Sequence, residues 1–506
     1  MPNTKWVQNF KGYSDQASPG ASPVITSDLS NVKVLHGQVR PRGGMTKYQS
    51  IAVAASSTII GLMNYPRLSG TNSLLRMLEN KVEHLTGGSW QDITGTALNG
   101  SVINRPQHTI IDDTLVFTNE GANLPRKWAG TGNTSSIASG TSPYGKTITH
   151  YLGFLMLGNV SDSGTFTDVP DGQRIIRYSD DWDNDWEGCG GNEIILHETP
   201  GNLLRMLLLG RDLMCYKDDG LVRVTWVGGN VIFKHEKVDF DIGFVSPLGI
   251  ARINDEMHIG LGNDGVLYVI TQSEVTPISY DTLFRTLPPA ISNGKQKYAR
   301  MLNSPEEGLV YLFYDRTGLS GQLADSYVSY NYREKVFSKG QLGKQIVAAE
   351  YWRPTNLVPA DLLISTPTLV NEFDTGTSDD GTVVTSYWTT GFQNLDEEGW
   401  FYGARLLFEK PSSSLASIDV SVAIDGSGSF GNLETIRLSG GSPGDDFVEV
   451  YYKPTTAIWC NWVNLKIRFK GNALTAGVEL RRIGLVFEGK HPVRKTAERQ
   501  QADLTL

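Results

Sequence analysis

The chain is poor in the features that announce a membrane, a disulfide scaffold or a metal. Its three cysteines, Cys189, Cys215 and Cys460, are widely spaced and odd in number among 506 residues. With no CxxC pair and no even set, no disulfide framework is expected. No apolar run approaches the ~18 residues of a membrane-crossing helix, and the opening MPNTKWVQNFKGY has no apolar stretch of signal-peptide length. The protein is therefore expected to be soluble and made without a cleavable secretion signal. A basic surplus is missing as well: 45 Lys and Arg face 54 Asp and Glu, a formal net charge of −9. That speaks against a dedicated nucleic-acid binder, although mild repulsion suits a surface that DNA slides past. Helical periodicity is scarce, and the one helix expected is a short piece over Ser279–Leu287, SYDTLFRTL.

What the chain has in quantity is strand and turn. Apolar residues make up 40% of it, ordinary for a globular protein, while the 54 glycines exceed the average share. Short apolar runs bounded by Gly, Asp, Asn or Ser recur, as in STIIGLMNY, TIIDDTLVFTNEG, DLMCYKDDGLVRVTWVGG and EEGLVYLFYDRTG. Aligned, they give a loose repeat of polar turn, apolar strand, Gly-bearing turn and second strand. It recurs around Leu75, Leu115, Leu155, Leu213, Met257, Leu309 and Leu362, at roughly the 40–60 residue period of propeller blades. A blade cannot bury both faces alone, so a ring of blades builds the core jointly. The competing arrangement is a set of independent hairpins in sandwiches. The expected fold is all-β: a β-propeller of six or seven blades over residues 51–370, with a C-terminal β-sandwich-like platform over 371–490. Residues 1–50, polar and ending in GQVRPRGGMTKY, form an extended N-terminal arm that becomes ordered against the body or a neighbour. A polar tail, 491–506, follows the platform. Within the platform, segments such as Ser417–Ile424 alternate strictly, as half-buried antiparallel strands do.

The first candidate for chemistry is RYSDDWDNDWEGCGGNE, where Asp181, Asp183 and Asp185 alternate like calcium ligands. An EF-hand loop also needs Gly at its sixth position and a bidentate Glu at its twelfth; Trp186 and Asn192 stand there instead. The stretch is expected to be an acidic inter-strand loop, with Trp182 and Trp186 as plugs between sheets. Candidates for the paired carboxylates of glycoside hydrolysis are Asp180, Asp212, Asp255 and Glu307, which begin strands in different repeats. NDGVLY, from Asn263 to Tyr268, matches only a fragment of a sialidase Asp-box, and Asp-Gly is ordinary turn chemistry. His150, His197, His235 and His258 have no metal-binding spacing and suit satisfied or exposed strand residues. There is no HExxH, GxSxG elbow, P-loop or GxGxxG in a strand–turn–helix setting, and no WD or kelch signature. The glycine-rich IDGSGSFG, 424–431, joins strands and so offers no helix N-terminus to a phosphate. Arg40 and Arg42 of RPRGG fit an arm or protein contact better than a nucleic-acid contact. No catalytic, cofactor-binding or metal-binding residue is expected, and no cofactor.

The order and texture of several segments resemble the propeller-bearing tail proteins of short-tailed bacteriophages. KWVQNFKGYSDQASP and GQVRPRGG frame the arm; IIGLMNY, GTNSLLRML, GGSWQDITG and DDTLVFTNEGANLPRKW follow. RIIRYSDDWDNDWE, TPGNLLRMLLLGRDLMCYKDDGLVRVTWVGG and DIGFVSPLGIARINDEMHIGLGNDGVLYV continue the match, which covers residues 1–370 and, more weakly, the remainder. The resemblance implies a structural virion protein without enzymatic activity, a tail nozzle or hub assembled in the host cytoplasm. Six copies would form a ring below the portal and adaptor, line and gate the DNA exit channel, and anchor fibres or spikes. The acidic balance suits that role, since a lumen of carboxylates would not retain passing duplex. The alternative is a carbohydrate-active propeller, either a glycosidase or a receptor-binding lectin.

Overall fold

The computed structural model describes residues 2–489 apart from 18–23, 55–56, 102, 138–141, 165–171, 187–190, 230–231, 239–241, 292–295, 317–322, 356–357, 392, 410–415, 439–445 and 475–476. Cys189 and the tail beyond residue 489 lie outside the described residues. The chain divides into two units: residues 45–329 with 341–382, and residues 1–44 with 330–340 and 383 onward.

The larger unit is a seven-bladed propeller. Blades 1 to 6 are four-stranded antiparallel sheets that follow one another along the chain. Their second strands are Ser73–Leu78, Thr114–Thr118, Phe154–Ser161, Asp212–Lys217, His258–Leu261 and Leu309–Tyr314. These strands are apolar on both faces because a blade lies against each side of them. Ser73–Leu78 and Leu309–Tyr314 are buried at every residue. Six of the seven repeat positions fall in a second strand, and Met257 falls one residue before His258–Leu261. The last blade runs Ala348–Trp352, Asp361–Ser365 and Val370–Phe373, and then takes a strand from the other end of the chain. Met45–Lys47 pairs antiparallel with Asn371–Phe373, so the ladder ties the ring shut. Several hairpins use paired positive-φ residues as a type I′ turn requires, among them Asp112 (φ 50°) with Asp113 (φ 52°), and Leu152 (φ 51°) with Gly153 (φ 86°).

The helix lies later than the sequence suggests. Residues 279–286 form successive turns, with Leu283 N–H donating to Ser279 O at 2.8 Å, and the helix itself is Leu287–Ile291. Pro288 and Pro289 are the reason: they lack a donor and fit only a first helical turn.

In the second unit, eleven strands form one sheet, which curls into a nearly closed barrel. The two faces expected of a sandwich are thus supplied by a single sheet. Its long members, Gln393–Glu409, Ile458–Lys470 and Leu480–Gly489, each pair with more than two neighbours along their length. The N-terminal arm is ordered here as strands. Asn3–Gln8 pairs with Arg482–Phe487, and Leu29–Ser30 pairs with Tyr387–Trp388. Inside, Phe10 meets Trp388 edge-on at 5.4 Å. Ser417–Ile424 is not half-buried as its alternation suggests, because Ile418 to Ala423 are all buried. Its polar side is covered by its neighbours: Thr435 Oγ1 donates to Asp419 at 2.6 Å, and Lys470 lies 3.2 Å from the same carboxylate.

Candidate functional site: a basic channel through the propeller

The first strand of every blade faces the propeller axis. The seven are Ile59–Tyr65, Gln107–Ile111, Tyr144–Tyr151, Leu203–Leu209, Ile250–Arg252, Arg300–Ser304 and Ala348–Trp352. Together they surround a cavity of about 550 Å³. A second cavity of about 430 Å³ lies next to it, with Gln107 lining both. Side chains stitch the strands across the axis. Gln107 Nε2 donates to Leu204 O at 3.3 Å and Gln107 Oε1 accepts from Thr147 Oγ1 at 2.9 Å. Arg205 Nη1 donates to Pro247 O (3.1 Å) and Ile250 O (2.7 Å). Asn64 of the first blade donates to Tyr351 O of the last at 3.0 Å. These bonds satisfy carbonyls that would otherwise face a confined space without partners.

The channel has a charge bias opposite to that of the whole chain. Arg205, Arg252 and Arg300 line the main cavity and Lys146 and Lys297 the second, against the carboxyls of Glu350 and Glu120. Burial drives Glu350 up to about 8, with the Arg205 guanidinium only partly opposing it. It drives Glu120 up to about 7 despite Arg105, Lys146 and Lys297. Both acids therefore tend toward the neutral form near neutral pH, which weakens their pull on Arg205, Lys146 and Lys297. Arg205 is pushed down to about 10 by burial against the pull of Glu350, and Arg105 to about 10 against the pull of Glu120. Arg105 and Lys297 both face the ring of Tyr298, at 5.6 and 4.9 Å from its centre. Arg300, 3% exposed, is lowered well below the usual arginine value by burial and then by the neighbouring Arg105. Its Nε has no hydrogen-bond partner among the described residues. At the rim, Arg252 is paired with Asp255 at 2.6 Å.

The residues singled out in the sequence lie elsewhere. Asp212 opens the second strand of blade 4, Asp255 and Glu307 lie in the turns between first and second strands of blades 5 and 6, and Asp180 does not begin a strand but follows the third strand of blade 3. None lines either cavity. Asp183 pairs with Lys127, while Asp181 accepts from Asn184 at 2.8 Å. No group of three or more His, Cys, Asp or Glu able to hold a metal ion occurs among the described residues. Trp182 and Trp186 are buried with Ile111, Val116, Leu155 and Leu157, between blades 2 and 3. Trp186 Nε1 donates to Trp182 O at 2.8 Å, so the second indole is polar-satisfied as well as buried. In NDGVLY, Asp264 accepts from Val266 N–H (3.0 Å) and Tyr268 OH (2.6 Å), as turn chemistry requires. His150 accepts from Gly153 N–H at 3.1 Å, His235 lies 2.6 Å from Glu198, and His197 is exposed. His258 is fully buried: Nε2 donates to Leu208 O at 2.9 Å, so Nδ1 accepts from Tyr216 OH at 2.6 Å. Cys215 and Cys460 are buried free thiols. In the barrel, Arg42 is fully buried, with Nε 3.4 Å from Asn31 Oδ1, and Arg40 lies 3.9 Å from Glu479.

Sequence reasoning missed the channel residues. Arg205 in LLRMLLL, Arg300 in YARML and Glu350 in VAAEYW carry no motif. Their signal is one ionisable residue inside an apolar strand, immediately before a strand that marks the repeat.

The barrel unit presents a different feature, an aromatic outer face. Trp6, Trp400, Trp459, Phe447 and Tyr451 are each between 39% and 46% exposed, unusual for side chains of this size. Register explains the grouping. Trp6 stands opposite Gly484, Gly484 opposite Arg405, and Arg405 opposite Tyr451, one row across four strands. Gly484 leaves room for the indole, since a Cβ there would lie 2.9 Å from Trp6 Cζ3. Trp400 and Trp459 are a cross-strand pair, with ring centres 5.3 Å apart.

No protein-family model matches the chain, and no curated protein matches it. Among solved structures it is similar to YCF48 from Cyanidioschyzon merolae, at 11% identity and a TM-score of 0.38, over 63% of this chain and 96% of that one. It is also similar to the Pan2 WD40 domain of Neurospora crassa, at 9% identity and a TM-score of 0.36, over 65% of this chain and 97% of that one. At these identities and scores, neither likeness carries an inference about activity, ligand or partner. No described helix is long and apolar enough to cross a membrane.

Proposed function

We propose that the protein is a structural component of a bacteriophage tail, a nozzle or hub whose copies form a ring, bind portal-side adaptor proteins and anchor fibres or spikes. The ring would surround and gate the path of DNA without reading its sequence. Two things support this reading: the segment-by-segment resemblance of the sequence, and the outward aromatic face of the barrel, which is the observation that carries it. Large aromatics exposed together on one sheet favour burial against another protein surface. Trp400 and Trp459 also favour a second reading, sugar binding, since a tryptophan pair is a stacking platform for a pyranose ring.

The test uses virions and paired variants. Gold-labelled antibody against the chain should decorate the tail, and the variant with Trp400→Asp and Trp459→Asp should drop out of particles while keeping its melting temperature. A chain absent from virions, or a double variant that assembles normally, refutes the structural reading. Glycan-array binding lost in that variant would favour the second.

A further inference from the structure

We infer that the propeller channel is a binding site for a small phosphate-type oxyanion, held against Arg300 and attracted by the field of Lys146 and Lys297 in the neighbouring cavity. The inference stands apart from the tail role and rests on residues of the propeller alone.

Arg300 carries the argument. It lines the main cavity, is 97% buried, and leaves Nε without a hydrogen-bond partner among the described residues. The charged group acting on it is a second buried cation, Arg105, which is 1% exposed. A buried guanidinium with no compensating carboxylate is costly to maintain, and a cavity beside it offers the remedy of a bound anion. Arginine suits a phosphate or sulfate because its planar fork makes parallel hydrogen bonds to two oxygens.

The rest of the channel fits the same ligand class. Lys146 and Lys297 line the neighbouring cavity, where their charge raises the local concentration of anions. Glu120 and Glu350, the carboxyls lining the two cavities, are held toward their neutral forms by burial and so repel an anion little near neutral pH. Gln107 and Asn303 add polar side chains to the lining of the main cavity. At about 550 and 430 Å³, the cavities admit a free phosphate or a phosphorylated small molecule and exclude a folded chain or a duplex.

The test is calorimetric titration of the full chain at low salt with inorganic phosphate and, separately, with a nucleoside monophosphate. One site per chain is expected for at least one of them. If only the ester binds, the source is a phosphorylated metabolite; if both bind alike, free phosphate suffices. Arg300→Gln should weaken binding at least tenfold, and joint Lys146→Ala and Lys297→Ala should weaken it several-fold with a shallower dependence on salt. Arg223→Gln, which removes a charge paired with Glu236 on an outer strand, should leave binding unchanged. Should Arg300→Gln fail to fold, the lysine variant decides the matter. No heat and no melting shift with either ligand, or affinity unaltered by the lysine and Arg300 changes, would overturn the proposal.

Discussion

His258 makes the sharpest quantitative prediction. Its imidazole sits on the second strand of blade 5, fully buried between Leu208 O and Tyr216 OH, both from blade 4. Nε2 must keep its proton to donate to the carbonyl, and Nδ1 must stay bare to accept from the phenol. Protonation would therefore cost a hydrogen bond and place a charge where water cannot reach it. Burial, with Arg252 and Arg205 adding to it, lowers the group from 6.5 to about 4, although the bond to Leu208 opposes the shift. A histidine whose folded value lies below its unfolded one binds its proton more tightly in the unfolded chain, so acid favours unfolding. The contribution is intact above about pH 6.5, shrinks as pH falls, and is fully lost below about pH 4. With those two values the loss is about 2 kcal/mol by pH 5 and about 3 kcal/mol at lower pH. Urea unfolding of the wild type and of His258→Gln, each at about pH 7.5 and about pH 5, isolates the effect because other titrating groups are common to both. The variant should be weaker at the higher pH, and the gap should close by about 2 kcal/mol at the lower. A gap that does not change with pH, or a folded-state titration of His258 by NMR near the free-imidazole value, would refute the reasoning.

Two further predictions concern the acidic loop of blade 3. Trp186→Ala should destabilise the protein by ~3–5 kcal/mol in denaturant titration, because the indole fills the space between blades 2 and 3. Trp226→Ala, 53% exposed, should cost far less in the same assay. Asp183→Ala removes only the partly exposed pair with Lys127, so stability should change by about 0–1 kcal/mol. Calcium should give neither heat nor a melting shift with either Asp183→Ala or wild type.

Sequence pattern alone specified the blades, because the second strand of each must be apolar on both faces to lie between neighbours. That is why Leu75, Leu115, Leu155, Leu213, Leu309 and Leu362 fall within those strands, and Met257 one residue short of one. Turn chemistry was local at Asp112-Asp113 and Gly153, residues that tolerate the positive φ their hairpins need, whereas Leu152 takes φ 51° because the hairpin imposes it. The failure of the calcium pattern at Trp186 and Asn192, and the burial of Trp182 and Trp186, also followed from residue type and spacing.

What only the tertiary structure decided was everything that joins distant segments. Met45–Lys47 closes the last blade against residues more than three hundred positions away, and no local periodicity marks so short a strand. The barrel depends on Asn3–Gln8 meeting Arg482–Phe487, a pairing set by long-range register. The channel is the clearest case. Arg205, Arg300 and Glu350 are isolated ionisable residues in apolar strands, each unremarkable along the chain. Only a closed ring brings them onto one axis, since each first strand contributes a few side chains and none has a site by itself. The sequence determined the pieces because their forces act over a few residues; closure determined the site because charge and confinement act through space.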